Sequence, residues 1–272
     1  MAGVSPNISP AETKGLMAIN AYQQVVPMQH GFVCEPVGTH SSRTIMLAEL
    51  TALLDSTPPD AGYETLRLAA VENNAFQKSS AAGRAKTFRH LREFYALNLD
   101  VPVFSALRTL WDVDMGARPM LAVLCASARD PLLRALVDYV LLLPLGASVD
   151  KEAVVKRLSD AFPRRYSEDV LSRVVRNLLS SWTQSGHFRG RTTKIRTRAV
   201  TGPASTAYAL YLGYLCGQRG DALFDTTWTG ILDRPMSALH EFAQEASARG
   251  WITYRSAGGI TDVEFHSLIG RH

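Results

Sequence analysis

Apolar residues recur at the three- and four-residue spacing of an α-helix through most of the chain after residue 42. The pattern predicts helices over residues 43–54, 63–72, 80–97, 102–113 and 119–143, the last of them broken near Asp130-Pro131. Ser42 is expected to cap the first helix. The third helix places Ala85, Phe88, Leu91 and Tyr95 on its predicted apolar face and Lys86, Arg89 and His90 on or beside the opposite one. A short polar turn before a basic third helix is typical of a helix-turn-helix arrangement.

Two further amphipathic helices are predicted over residues 150–161 and 167–184. The second has an apolar stripe formed by Val170, Val174, Leu178 and Trp182. Its other face carries side chains that can donate hydrogen bonds to base edges and phosphates, namely Arg173, Arg176, Asn177, Ser180 and Gln184. This helix is therefore a candidate recognition helix for the major groove.

A basic segment with alternating side chains follows that helix. Residues 187–198 are consistent with a strand, in which Lys194, Arg196 and Arg198 would point to one face in a line. Together with Arg189 and Arg191, these cations would contact backbone phosphates in the manner of a basic wing. The alternative interpretation is an ordinary helix followed by a solvated basic loop.

The end of the chain repeats the order of helix and hairpin with a different charge. A helix over residues 235–249 precedes two alternating runs, 251–255 and 260–265, around Gly258-Gly259. Its helix carries Glu241 and Glu245, and its hairpin carries Asp262 and Glu264, so this part should repel phosphate. We expect it to have a structural role or to bind a protein partner.

The predicted fold class is mostly α and multi-helical, with helix-turn-helix or winged-helix-like units and two short β-hairpins or wings. We divide the chain into an N-terminal arm (1–41), a helical domain with the helix-turn-helix-like element (42–146) and a winged-helix-like C-terminal domain (147–272). Four prolines and scattered glycines set the arm apart, with one short helix candidate at residues 16–26.

Positive charge is concentrated in two stretches, although the formal net charge is only +4. Residues 170–220 contain eight Lys or Arg and no acid, and residues 73–92 contain five and no acid. The remainder of the chain is therefore net acidic. Such segregation favours a polyanionic partner. In the second stretch the candidate DNA contacts are Lys78, Arg84, Lys86 and Arg89.

The sequence contains few signs of catalysis or of metal, cofactor or small-molecule binding. No phosphate-binding loop, dinucleotide fingerprint or nucleophile elbow occurs, and the histidines are dispersed. We therefore expect no catalytic residues, bound metal, cofactor or small-molecule substrate. The cysteines are three and far apart, no stretch has the length and composition of a membrane span, and the first residues do not have the pattern of a signal peptide. These features predict a soluble, cytoplasmic protein.

Several landmarks resemble the BrxA proteins, accessory components of the BREX bacteriophage-exclusion systems. They include residues 72–79, Arg84 and Thr87, residues 104–111, Arg118-Pro119, residues 128–130 and the closing segment 251–265. The likeness covers roughly residues 40–268, whereas the arm before Thr39 is long and residues 180–186 do not match the family pattern. It implies a small, mostly helical, non-enzymatic protein that contacts DNA beside other phage-defence proteins.

The leading hypothesis is accordingly a non-catalytic double-stranded DNA-binding accessory protein of a phage-defence system. A structural adaptor would instead dock its basic face on an acidic protein partner. A transcription regulator would use the same elements on its own operator, and it would be expected to dimerise on a palindromic site.

Overall fold

The computed structural model describes residues 28–36 and 38–269. Most of the predicted arm, including the helix candidate at 16–26, lies outside the described residues. The prediction of a mostly helical fold with two short hairpins is confirmed. In chain order the helices are α1 Leu47–Asp55, α2 Tyr63–Val71, α3 Ala81–Tyr95, α4 Pro102–Trp111, α5 Arg118–Arg129, α6 Pro131–Arg134, α7 Val137–Leu142, α8 Lys151–Ala161, α9 Glu168–Gln184, α10 Pro203–Leu215, α11 Thr227–Ile231 and α12 Met236–Ala248. The strands are β1 Phe188–Arg189, β2 Ile195–Arg196, β3 Thr253–Ala257 and β4 Ile260–Glu264.

Helix α1 begins four residues later than predicted, and Ser42 is not its cap. Residues Thr39–Ser41 form a short 3-10 turn, and the chain then runs without helix to Met46, whose φ of 54° precedes the first turn of α1. The side chains of α9 accept hydrogen bonds from the backbone N–H groups of Ile45 and Leu47. These tertiary bonds replace the helical bonds that residues 43–46 would otherwise form.

Helix α3 begins as predicted and buries Phe88, Leu91 and Tyr95 of its predicted apolar face. Ser80 caps it by accepting a hydrogen bond from the Gly83 N–H at 3.1 Å. His90 is buried, whereas Ala85 is exposed, so the predicted positions of these two residues are wrong. Packing against α2, α5 and the 3-10 turn at Thr39–Ser41 buries a broader face than one apolar stripe.

The core is built around two helices that are apolar on nearly every side. Residues 120–128 of α5 are all buried, as is α10 except for Tyr214. Helix α4 packs against both, and the Tyr208 hydroxyl donates a hydrogen bond to the Val103 carbonyl at 2.7 Å. One buried apolar cluster thus extends across the predicted boundary at residue 146. The division into domains stays a prediction.

Two units in the second half each consist of helices followed by a hairpin, the order of a winged helix. We define the first winged unit as residues 146–198, which contain α8, α9 and the antiparallel pair β1–β2. Ser148 also bridges to Ile195, so the extended residues before α8 lie alongside the wing. The second winged unit, residues 203–265, contains α10–α12 and the longer hairpin β3–β4. Gly258 and Gly259 both have positive φ, as a two-residue type I′ turn requires.

Candidate nucleic-acid interface

Helix α9 is strongly amphipathic. Its apolar side is buried, and two arginines lie on its exposed side. Val174, Leu178 and Trp182 are buried as predicted, whereas Arg173 and Arg176 are exposed. Within the described part of the chain, neither arginine forms an ion pair or an intramolecular hydrogen bond. Both guanidinium groups are therefore free to bind an anion.

The two amide side chains assigned to base reading are occupied inside the protein. The Asn177 side chain donates a hydrogen bond to the His40 carbonyl at 2.8 Å. Gln184 accepts one from the Leu47 N–H at 3.0 Å and donates another to the Thr44 hydroxyl at 2.8 Å. Residues 39–47 therefore cover this side of α9. The assignment of Asn177 and Gln184 to the DNA groove is not supported, because their hydrogen-bonding groups hold the N-terminal segment.

The predicted row of three wing cations is wrong for Arg196. Its side chain is 1% exposed and forms an ion pair with Asp233, with 2.9 Å between nitrogen and oxygen. The same guanidinium donates to the carbonyls of His187 and Thr197. Because these bonds hold its guanidinium inside the protein, Arg196 points toward the second winged unit and cannot reach a phosphate.

The remaining wing cations lie at the surface. Arg189 and Arg191 are exposed, and Arg198 is 52% exposed with Asp233 at 3.7 Å. Gly190 allows this tight wing, because its φ is 98° and a side chain there would collide with the Thr193 carbonyl. Lys194 is partly buried and donates to the Gly190 carbonyl at 2.7 Å.

A groove of about 400 Å³ separates α8, α9 and the wing. Four of its lining residues are cations, namely Lys151, Arg176, Arg191 and Lys194. Among the described residues that line it, none is acidic, and its apolar part consists of Val155, Val175 and Leu179. Burial, and then the nearby charge of Lys151, lowers the pKa of Lys194. The groove is thus an electropositive site in which like charges repel one another until an anion binds.

Asp169 opposes anion binding at one end of α9. It lies in the first helical turn, one turn before Arg173, and it is exposed. A carboxylate at this position stabilises the positive end of the helix dipole. The same charge would repel a phosphate approaching the first turn. The surface is therefore most favourable for an anion from Arg173 toward the wing.

The second predicted basic site is only partly available. Lys78 pairs with Glu49 at 3.3 Å, and Arg84 donates to the Val71 carbonyl at 2.7 Å, where it helps to terminate α2. Lys86 and Arg89 are exposed on α3. Burial lowers the pKa of His90 to about 4, with smaller contributions from Arg89, Arg43 and Lys86. These cations therefore form a second positive region beside the N-terminal segment.

The sequence did not indicate that three distant residues form a buried network. His40 contacts the Asp130 carboxylate through Nδ1 and the Ser181 hydroxyl through Nε2, the latter at 3.0 Å. This order is that of a hydrolase triad. Each of the three residues is at most 1% exposed, and Ser181 also accepts from the Ile45 N–H and donates to the Asn177 carbonyl. We interpret the network as structural, because it fastens residues 40–45 to α9.

Sequence reasoning also missed Lys151, which joins the groove from the start of α8. It lies 25 to 43 residues before the other groove cations in the chain, outside the acid-free stretch. Its only local signal is an exposed position in the first turn of an amphipathic helix. Residues 146–149 run beside the wing, where Ser148 bridges to Ile195, and this places the start of α8 and Lys151 next to the groove.

In residues 28–36 and 38–269, no cluster of three or more His, Cys, Asp or Glu side chains is arranged to hold a metal ion. The helices described over those same ranges all fall short of the length and apolar character needed to cross a membrane. Comparison of the sequence with models of known protein families and with curated proteins finds no match.

Proposed function

We propose that this chain is a non-catalytic duplex DNA-binding protein and that the first winged unit is its DNA-binding surface. The proposal rests on four exposed arginines of α9 and the wing that form no ion pair with any described residue, namely Arg173, Arg176, Arg189 and Arg191. Arginine guanidinium groups bind phosphate oxygens strongly and often in bidentate fashion. Their positions on a helix and on the following hairpin match the two elements with which a winged helix contacts DNA.

The proposal concerns phosphate contacts rather than base reading. Asn177 and Gln184 are engaged with residues 40–47, so the amide side chains best suited to adenine are not available in this conformation. Arg173 and Arg176 remain on the helix and could reach phosphates or guanine. We therefore expect weak dependence on DNA sequence and strong dependence on salt. This expectation favours an accessory DNA-binding protein over an operator-specific transcription regulator.

The test is a titration of duplex affinity against salt concentration. Each phosphate contact that is lost should lower the slope of log affinity against log salt by about 0.9. Replacing Arg189 and Arg191 with alanine should therefore lower the slope by about 1.8. Both residues are exposed, so the double variant should fold normally.

A matched control uses two exposed arginines of the second winged unit, Arg249 and Arg255. Replacing both with alanine makes the same change in net charge but should leave the slope unaltered. Equal slopes for the wild type and the Arg189/Arg191 variant would refute the wing as a phosphate-binding element. A wild type without duplex affinity at physiological salt would instead favour the adaptor hypothesis.

The resemblance to BrxA proteins extends this proposal to phage defence, with other defence proteins as partners. A host that carries a complete exclusion system should lose protection against phage when this gene is deleted. The wild-type gene should restore protection, whereas the Arg189/Arg191 variant should not. Full restoration of protection by that variant would show that the defence role does not depend on phosphate binding by Arg189 and Arg191.

A further inference from the structure

The groove between α8, α9 and the wing has properties that contact with a DNA backbone does not require. A phosphodiester on the surface needs exposed cations, as found at Arg173 and Arg189. The groove instead provides about 400 Å³ of space, a size typical of small-molecule sites. It also has an apolar wall, which a phosphate group alone would not contact favourably.

The groove combines three kinds of binding surface. Four cations surround it and no acid is present among its described lining residues. The partly exposed Val155 and the nearly buried Val175 and Leu179 form the narrow apolar floor of the groove, against which a flat ring can pack. Three hydroxyl groups complete the lining and can donate or accept hydrogen bonds, those of Ser172, Ser180 and Thr192.

We propose that this groove binds one nucleoside monophosphate unit, with the phosphate among Lys151, Arg176, Arg191 and Lys194 and the base or sugar against Val155, Val175 and Leu179. The unit can be a free nucleotide or an unpaired nucleotide of a DNA strand, since both offer the same chemistry. The inference goes beyond duplex binding, with which it shares Arg176 and Arg191. Occupation of the groove by a free nucleotide therefore weakens duplex binding, and this one consequence rests on the proposed function.

The charge state of the groove supports an anionic ligand. Lys194 lies partly buried beside Lys151, and its ammonium group has the Gly190 carbonyl as a hydrogen-bond acceptor at 2.7 Å. One carbonyl uses one of the three N–H donors of a lysine. The remaining donors of Lys194 are available to a phosphate, which would also relieve the repulsion from Lys151.

The first experiment measures binding of adenosine 5′-monophosphate to the full chain by calorimetry. Inorganic phosphate and adenosine serve as separate probes of the two halves of the ligand. We expect the nucleotide to bind about tenfold more tightly than either half, because both the cations and the apolar wall contribute. Equal affinity for the nucleotide and inorganic phosphate would overturn the proposal.

Variants locate the site. Lys151→Ala and Lys194→Ala should each weaken nucleotide binding by about tenfold, the usual effect of losing a charged hydrogen bond. Lys156→Ala is the matched control, because Lys156 lies on the same helix, pairs with Asp160 and is outside the groove. Ser172→Phe replaces an exposed residue at the rim and should block the groove while the fold is kept. Unchanged affinity in Lys151→Ala, Lys194→Ala and Ser172→Phe would overturn the assignment.

Binding measurements with two kinds of duplex distinguish a nucleotide supplied by a DNA strand from a free nucleotide. If a strand supplies it, a duplex with one unpaired adenosine should bind more tightly than a fully paired duplex, and Ser172→Phe should remove this advantage. If the free nucleotide is the ligand, the two duplexes should bind alike and the nucleotide should compete with both. Arg173→Ala distinguishes failure of this inference from failure of duplex binding, because Arg173 lies outside the groove. It should lower the duplex salt slope by about 0.9 and leave nucleotide binding unchanged.

Discussion

The two winged units both end in a helix followed by a hairpin, but they differ in what lies on the outward side of that helix. In the first unit, residues 39–47 cover one side of α9, and the exposed remainder carries Arg173 and Arg176. In the second unit, α12 exposes Glu241, Gln244 and Glu245. Similar helix–hairpin frameworks therefore present surfaces of opposite charge. Architecture alone does not indicate which partner a winged unit binds.

The units also differ in how their hairpins are stabilised. Five residue pairs and a two-glycine turn define β3–β4. The first hairpin has two pairs and depends on a polar junction with the second unit. There Arg196 pairs with Asp233, and His187 contacts the Ile231 carbonyl at 2.8 Å. Distant residues can thus stabilise a short wing, but Arg196, which they bind, is then not available to a ligand.

The largest expected effect concerns this junction. Arg196→Ala should lower the free energy of unfolding by about 3–5 kcal/mol, because it leaves the Asp233 carboxylate without its buried partner. Arg198→Ala should cost less than about 1 kcal/mol, since Arg198 is half exposed and 3.7 Å from the same carboxylate. Denaturant unfolding measures both variants. Equal losses would mean that the first wing is stabilised locally, as the second is.

The next effect is a dependence of stability on pH. Burial lowers the pKa of His187 to about 4, from a value of 6.5 for the free side chain. Between these values the unfolded chain binds a proton that the folded chain does not, so stability falls as the pH falls from about 6.5 to 4. The full loss for this residue is about 3 kcal/mol. His90 contributes with the same sign, because burial lowers its pKa also.

His187→Gln separates the contribution of the junction from that of His90. The variant should unfold with a shallower pH dependence between pH 6.5 and 4, while the remaining dependence reports His90 and the other titrating groups. Denaturant titrations at several pH values provide the measurement. An unchanged dependence in His187→Gln would show that this histidine does not stay neutral in the folded protein.

A smaller effect tests the covered side of α9 against the open side of α12. Gln184→Ala should lower the free energy of unfolding by about 1–3 kcal/mol, because the Leu47 N–H loses its acceptor. Gln244→Ala, at an exposed position on α12, should change it by less than about 0.5 kcal/mol. Neither variant should change the salt slope of duplex binding. A change of DNA preference in a stably folded Gln184→Ala protein would restore Gln184 to a role in base reading.

The smallest effect concerns the acid beside the first arginine of α9. Asp169→Asn should raise duplex affinity by about two- to fivefold at low salt, because it removes a negative charge near the proposed phosphate path. Loss of its interaction with the helix dipole should cost about 0.3–1 kcal/mol of stability. Glu241→Gln on α12 should leave duplex affinity unchanged. Equal effects of the two substitutions would indicate that only net charge matters.

The periodicity of the sequence was sufficient for most of the helices and both hairpins. Local sequence determines the turn at Gly258 and Gly259 and the apolar stripe from Val174 to Trp182. Such features can be predicted without knowing which distant residues pack against them. The start of α1 was misplaced because its N–H partners lie on α9, about 140 residues away. No window of sequence contains such a partner.

For the candidate site, the sequence by itself determined where positive charge accumulates, and Arg173, Arg176, Arg189 and Arg191 lie at the surface as expected. Only the tertiary structure decided which neighbouring polar residues remain available. In the sequence, Arg196 and Gln184 cannot be distinguished from exposed polar residues. In the structure, Arg196 pairs with the Asp233 carboxylate and Gln184 accepts a hydrogen bond from the Leu47 N–H. Burial requires every charge and backbone amide to find a partner, and the fold chooses that partner.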